Sequence, residues 1–183
     1  MYFSRLGTDT EESYKVALFN EVIGPVPDAR FLGVELDQRL SFSKHTDEIR
    51  ARANNRLNVL RAVARAGISP KVAMKLYKTY ILPLLEYGSI AFLAAPISYL
   101  EKLQKVQNEG IRICLGLPRY IRINLLHECA GLDKVEDRLK KLNQRLLQTM
   151  SRENTDVRDL VENRHLLANL NPKSPLDKLQ DCA

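Results

Sequence analysis

The chain has 183 residues, with 28 Lys+Arg against 22 Asp+Glu, a formal net charge of +6, 45% hydrophobic residues and 27% charged ones. That length suits one domain or a domain with an appendage, and the composition excludes a disordered tail and a membrane protein. No apolar run approaches the roughly 20 residues of a bilayer span, the first residues lack the basic-then-apolar layout of a signal peptide, and Cys114, Cys129 and Cys182 form no CxxC pair, which argues against a disulfide framework or a zinc ribbon.

The first forty residues read as strands. Lys15 to Phe19 and Val22 to Ile23 flank Asn20-Glu21, a tight-turn candidate, and Pro25 and Pro27 break any ladder. Ala29 to Leu36 is a second apolar run with Gly33 at its centre. A glycine inside a strand marks a bulge or a close backbone approach. Strands so few and short cannot make an independent sheet. They read as a sheet edge, or as a ribbon lying on helices.

From Ser43 the pattern turns helical, with Ser43 as the expected cap and Asp47 and Glu48 near the first turn. Ile49, Ala53, Leu57, Leu60 and Ala64 form one buried stripe. Arg50, Asn54, Asn58, Arg61 and Arg65 repeat that spacing one residue later, as a polar stripe beside it. Gly67 is the expected end of this helix. Residues 44–80 carry nine basic side chains against Asp47 and Glu48, so most of the excess charge sits in this stretch. Ser69-Pro70 opens a second helix with Ala73, Leu76, Tyr77, Tyr80, Ile81 and Leu84 inward, which Pro83 should kink.

Pro83 to Leu93 is expected to be the most buried segment, ended by Pro96. Ser98 and Glu101 form a capping box for a third helix, with Leu100, Leu103, Val106, Gly110, Ile111 and Cys114 inward and a stop at Gly116 and Pro118. Asn124 to Ala130 is a short helix ended by Gly131. Asp133 and Glu136 cap a long one whose stripe is Val135, Leu139, Leu142, Leu146 and Met150. A weaker helix covers Thr155 to Leu167, and the tail with Pro172 and Pro175 reads as loop. The fold class is mainly α, a helical bundle preceded by a short β-hairpin or strand segment. The divisions are 1–42, 43–150 and 151–183.

Asp28, Glu35 and Asp37 are the acids clustered near strands, and Glu35 and Asp37 share a strand face. Acids on an exposed strand face are ordinarily solvated, so neither a metal site nor a catalytic group is expected there. His45, His127 and His165 fall in different elements and suit helix-surface or cap roles, and His127 and Cys129, two apart, do not share a helix face. Gly110 and Gly116 lack the Lys-Ser or Lys-Thr of a phosphate loop, and Ser69, Ser89 and Ser98 lack a G-x-S-x-G context. The basic helix is the feature with a definite role. Arginine and asparagine at one-turn intervals contact successive phosphates or sugar hydroxyls along a groove, and Lys71 and Lys75 extend the set. The plainer reading is a solvated basic face. Tyr77, Tyr80 and Tyr87 suit core positions better than base stacking.

Several stretches resemble the C-terminal part of the reverse transcriptases of non-LTR (LINE-type, jockey-like) retrotransposons. They are FLGVELDQRLSFSKH (Phe31 to His45), KLYKTYILPLLEYGS (Lys75 to Ser89), LEKLQKVQNEGIRICLGLPR (Leu100 to Arg119) and LLHECAGL (Leu125 to Leu132). Order and approximate spacing agree over about residues 14 to 150. The resemblance implies a thumb-like helical bundle, with Phe31, Leu32 and Gly33 at a primer-grip-like position. The partner it implies is RNA or an RNA–DNA duplex, with a full-length retroelement protein as a further one. The palm aspartates of such RNA-directed DNA polymerases would lie before residue 1, and Phe92 stands where the family often has tryptophan. The chain is therefore expected to be a truncated reverse-transcriptase-like protein that binds template–primer and is inactive alone. Mg²⁺ is expected only in a full-length enzyme. An interaction or oligomerisation module derived from a retroelement is the alternative. The expected setting is intracellular, nucleus or cytoplasm.

Overall fold

The computed structural model describes residues 16–19, 21–24, 26–92 and 97–162. Lys15, Asn20, Pro25, Leu93, Pro96, His165, Cys182 and the tail with Pro172 and Pro175 lie outside them. Two antiparallel ribbons come first. β1 (Val16–Leu18) pairs with β2 (Glu21–Ile23), placing Val16 opposite Ile23 and Leu18 opposite Glu21, so Glu21 belongs to the strand and not to the turn. β3 (Asp28–Phe31) pairs with β4 (Val34–Asp37), with Phe31 opposite Val34.

That register corrects the single run expected over Ala29 to Leu36. Leu32 and Gly33 form a two-residue turn with φ of 46° and 80°. Positive φ at both central residues is the turn whose twist matches a hairpin. Gly33 thus sits at the tip of the ribbon, and the close approach is to a side chain. A Cβ there would lie 3.3 Å from Tyr87 Cε1, and the Tyr87 hydroxyl donates to the Leu32 carbonyl at 2.7 Å. Asp28 stands opposite Asp37, a like-charge pair that opposes the ladder. Each carboxylate is drawn elsewhere. Lys44 Nζ pairs with Asp28 at 2.8 Å, and Asp37 accepts the Ser41 and Phe42 N–H groups at 3.1 and 3.0 Å. Burial pushes the Asp37 carboxyl up, but the hydrogen bonds from Ser41 and Phe42 outweigh it and hold it below its ordinary value.

The same two bonds explain why Ser43 is not the cap of α1 (Ser43–Arg65). Asp37 fixes the approach, Phe42 takes the cap position at φ 57°, and Ser43 is the first helical residue. The Phe42 carbonyl accepts both the N–H and the hydroxyl of Thr46 at 2.9 Å. Ile49, Ala53, Leu57 and Leu60 are buried as expected, and Ala64 is half-buried. Gly67, at φ 86°, closes the helix. α2 (Pro70–Tyr80) starts as expected, with Ser69 Oγ accepting the Val72 N–H at 3.4 Å.

Pro83 breaks the helix outright instead of kinking it. The chain leaves α2 at Ile81 and restarts as α3 (Leu82–Glu86), because the proline ring clashes with the preceding turn and offers no N–H. A second break at Tyr87 and Gly88 (φ 69°) precedes α4 (Ser89–Phe92). Such short pieces present no continuous face, so this is not the most buried segment. Leu85 and Ser89 are buried, while Pro83, Tyr87 and Ile90 are exposed.

The core lies where α1 and α2 meet α5 (Ile97–Leu115). Leu60, Tyr77, Leu103 and Ile111 are fully buried there, and all six residues expected inward on α5 are buried. The Tyr77 ring packs on Gly110, where a Cβ would come within 2.5 Å of it. Ser98 lies inside the first turn, since α5 begins one residue earlier. Gly116 (φ 63°) ends the helix, and the Leu117 N–H reaches the Arg112 carbonyl at 3.0 Å.

α6 (Ile123–Ala130) ends at Gly131, φ 57°. α7 (Val135–Glu153) is not capped by Asp133 and Glu136, which pair with Lys141 and Lys140 at 2.9 and 3.2 Å. Its first N–H, on Val135, goes to Gln104 Oε1 of α5 at 2.8 Å. Its buried face is Val135, Leu139 and Asn143, whereas Leu142, Leu146 and Met150 are exposed. The face turns toward α4, where the Ser89 hydroxyl meets Asn143 Oδ1 at 3.0 Å. α8 (Thr155–Glu162) covers the first part of the expected last helix, whose remainder to Leu167 lies outside the described residues.

His127 is buried, not on a helix surface. Its Nδ1 faces the Leu132 carbonyl at 2.9 Å, and its Nε2 lies 3.0 Å from Gln104 Nε2 and 2.9 Å from Asn108 Oδ1. A carbonyl only accepts, so Nδ1 carries the hydrogen. The network ties α5, α6 and the start of α7 together.

Candidate nucleic-acid interface

α1 sorts its arginines onto two flanks of its buried stripe. On one, Arg52 pairs with Glu48, and Arg56 donates to the Tyr80 carbonyl of α2 while its guanidinium lies 4.6 Å from the centre of the Tyr80 ring. These two are occupied in holding the fold. On the other flank stand Arg50, Asn54, Asn58, Arg61 and Arg65. Arg61 is half-buried and committed, giving Nη1 to Asn58 Oδ1 at 2.7 Å and Nη2 to Glu109 Oε1 of α5 at 3.1 Å. Arg50, Asn54 and Arg65 are exposed and have no side-chain partner among the described residues. At 1.5 Å per residue, Arg50 and Arg65 stand about 22 Å apart along the axis.

Lys71 and Lys75 are exposed on α2. α2 meets the Arg56 flank and Arg61 reaches α5 on the other, so the lysines are not gathered with the polar stripe. Phe31, Leu32 and Gly33 form the tip of the β3–β4 ribbon, and the first two are 65% and 75% exposed. The ribbon is fastened to the N-terminal half of α1. Besides Asp28 with Lys44, Arg30 lies 3.7 Å from Glu48, and the Glu35 N–H donates to His45 Nδ1 at 3.4 Å. Burial lowers the His45 pKa below its ordinary value, against the opposing pull of Glu48 and Glu35.

A groove of about 400 Å³ between the C-terminal halves of α1 and α5 adds residues outside the stripe. Arg61 and Arg65 line it from α1, Glu109 and Arg112 from α5, and Arg119 from the segment beyond Pro118. The signal for Glu109 and Arg112 was present, as they stand three apart beside the inward stripe of α5. Nothing in the spacing points to Arg119.

Among the described residues no group of three or more His, Cys, Asp or Glu is placed to hold a metal ion. Glu35 pairs with Arg30 at 3.6 Å, and Asp37 is taken up by backbone N–H groups. Burial pushes the Cys114 thiol up to about 11, which keeps it protonated and inert near neutrality. Tyr77 is buried as expected, whereas Tyr80 and Tyr87 are exposed and not core residues, the first approached by Arg56 and the second bonded to the ribbon tip. No helix among the described residues is long and apolar enough to cross a membrane.

The chain is similar to RNA-directed DNA polymerases of transposable elements. It is 29% identical over 160 residues to the probable RNA-directed DNA polymerase from transposon X-element of Drosophila melanogaster, an overlap of 86% of this chain and 18% of that protein. It is 25% identical over 124 residues to the RNA-directed DNA polymerase from mobile element jockey of Drosophila melanogaster, 67% of this chain and 14% of that one. A third relative, the probable RNA-directed DNA polymerase from transposon BS of the same species, is 25% identical over 139 residues, 75% of this chain and 15% of the relative. The homologues are thus non-LTR retrotransposon polymerases, and the chain spans less than a fifth of the length of each. No protein-family model and no solved structure matches it.

Proposed function

We propose that this chain binds template–primer nucleic acid along the open flank of α1, in the service of RNA-directed DNA synthesis whose chemistry is carried outside these residues. The observation that carries the reading is the division of the α1 arginines. One flank is consumed by Glu48 and Tyr80, while Arg50, Asn54 and Arg65 stand clear of acidic partners over about 22 Å. Guanidinium groups in that array neutralise phosphates without reading bases, and asparagine suits sugar hydroxyls. An RNA–DNA or RNA duplex is the expected ligand. In support, the relatives are named as RNA-directed DNA polymerases. The exposed ribbon tip, Phe31 and Leu32, would abut the primer end. Mg²⁺ would be held by carboxylates supplied elsewhere in a longer enzyme.

The test is a salt titration of binding to an RNA–DNA hybrid, comparing the wild type with Arg50→Ala/Arg65→Ala. Each phosphate contact contributes about 0.9 to the slope of log affinity against log salt on B-DNA. The double variant should therefore flatten the slope by about two contacts. An identical slope would remove α1 from the interface. Primer extension by the chain alone with Mg²⁺ would overturn the assignment of the chemistry elsewhere.

The exposed apolar ribbons favour a second reading, an interaction module. Phe19 is 94% exposed, and Val22, Ile23, Phe31 and Leu32 are exposed as well. Concentration-dependent mass in light scattering, without salt-sensitive binding to the hybrid, would favour it.

A further inference from the structure

We infer that the groove between α1 and α5 is a clamp for a backbone phosphate of the bound strand, and that Glu109 is its built-in counter-ion. The inference rests on the reading of α1 given above and extends it to residues off that helix. Arg61, Arg65, Arg112 and Arg119 face the groove with Glu109 the acid among them, which leaves three uncompensated positive charges. The groove lies at the C-terminal ends of both helices, where each carbonyl end contributes about half a negative elementary charge. About two positive charges remain after that offset, enough to draw a phosphodiester. The dipoles therefore account for part of the arginine cluster and not for all of it.

The second observation is an unused donor. The Arg112 Nε–H is buried and finds no acceptor among the described residues. Burying a guanidinium N–H without an acceptor is costly, and an oxyanion in the groove supplies one only as the groove wall yields to admit it, because this atom is closed to solvent in the free chain. A planar guanidinium fork suits a phosphate's paired oxygens. Glu109 meanwhile holds Arg61 Nη2 at 3.1 Å, with Asn58 on Nη1. An arriving phosphate competes with the carboxylate for the same guanidinium. Glu109 thus weakens occupancy and keeps the arginines apart from casual anions when no strand is present.

The probe is a fluorescein-labelled RNA–DNA hybrid, read by anisotropy at fixed salt with the full chain. Arg112→Ala should weaken binding about tenfold, the size of a lost charge-assisted pair. Arg112→Lys should restore only part of it, because an ammonium lacks the fork. Glu109→Gln should tighten binding about threefold, the scale of a surface ion pair released. Arg119→Ala, exposed beyond the end of α5, tests the groove without touching the core and should weaken binding as well. Should Arg112→Ala lose its cooperative melt, Arg119→Ala and Glu109→Gln decide the matter. Unchanged affinity in those variants while the wild type still binds overturns the clamp and leaves the α1 reading intact. Absence of salt-sensitive binding by the wild type overturns both.

Discussion

The three-helix centre and the two ribbons are both rich in apolar side chains and dispose of them in opposite ways. In α1, α2 and α5 the apolar residues recur at three and four, so each helix offers one stripe and the three stripes close on one another. Leu60, Tyr77 and Leu103 are fully buried as a result. The ribbons offer faces too, but two strands cannot cover themselves. Leu18, Phe19, Val22, Phe31 and Leu32 are exposed, and among the described side chains of the ribbons Val34 is the one large apolar group that is buried. Periodicity thus marks which side chains are available for burial. The number of neighbouring elements decides whether burial happens.

The strongest test of that contrast is Gly110→Ala. The added methyl would come within 2.5 Å of the Tyr77 ring, which has nowhere to go. Overpacking of this kind costs about 1–3 kcal/mol, and urea melts should show a loss near the upper end. A loss below about 0.5 kcal/mol, the size of a neutral surface change, would mean the centre is looser than its burial implies.

A smaller effect is expected at the seam between the two regions, where His45 receives the Glu35 N–H. The folded state holds this ring neutral, its pKa lowered by burial, while the unfolded chain protonates it at the ordinary 6.5. The unfolded state then binds the extra proton, so stability is complete above pH 6.5 and declines as pH falls toward the lowered folded value. Melts of wild type against His45→Gln between pH 5 and 8 should show the decline in the first and a flatter profile in the second. Parallel profiles would place the acid sensitivity elsewhere.

The smallest effect belongs to the ribbon tip. Phe31→Ser and Leu32→Ser should each change stability by no more than about 0.5 kcal/mol, because both side chains face solvent. A core-sized loss in the same melts would show the ribbon to be packed, and would erase the contrast.

The helices were legible in the sequence wherever local chemistry settles them. Ser69-Pro70, Gly67, Gly116 and Gly131 mark starts and stops through their own backbone preferences, and the inward stripe of α5 follows from spacing alone. What escaped depends on partners distant in the chain. Asp37 displaced Ser43 as the organiser of the start of α1, α4 turned the face of α7 from Leu142 toward Asn143, and His127 was drawn inward by Gln104, Asn108 and Leu132. In the candidate interface, the spacing placed Arg50, Asn54 and Arg65 on one open flank. It was silent on the Arg61–Glu109 pair and on Arg119, because both depend on where α5 ends relative to α1.

The bond from the Val135 N–H to Gln104 means that the origin of α7 is written into α5. Within the connector α6 is itself held to α5 through His127, so a change of length leaves the start of the following coil in place only where it falls in the exposed turn at 118–120. Homologous chains that vary in that turn would still present the same later helix, in the same rotational phase, to whatever lies beside it.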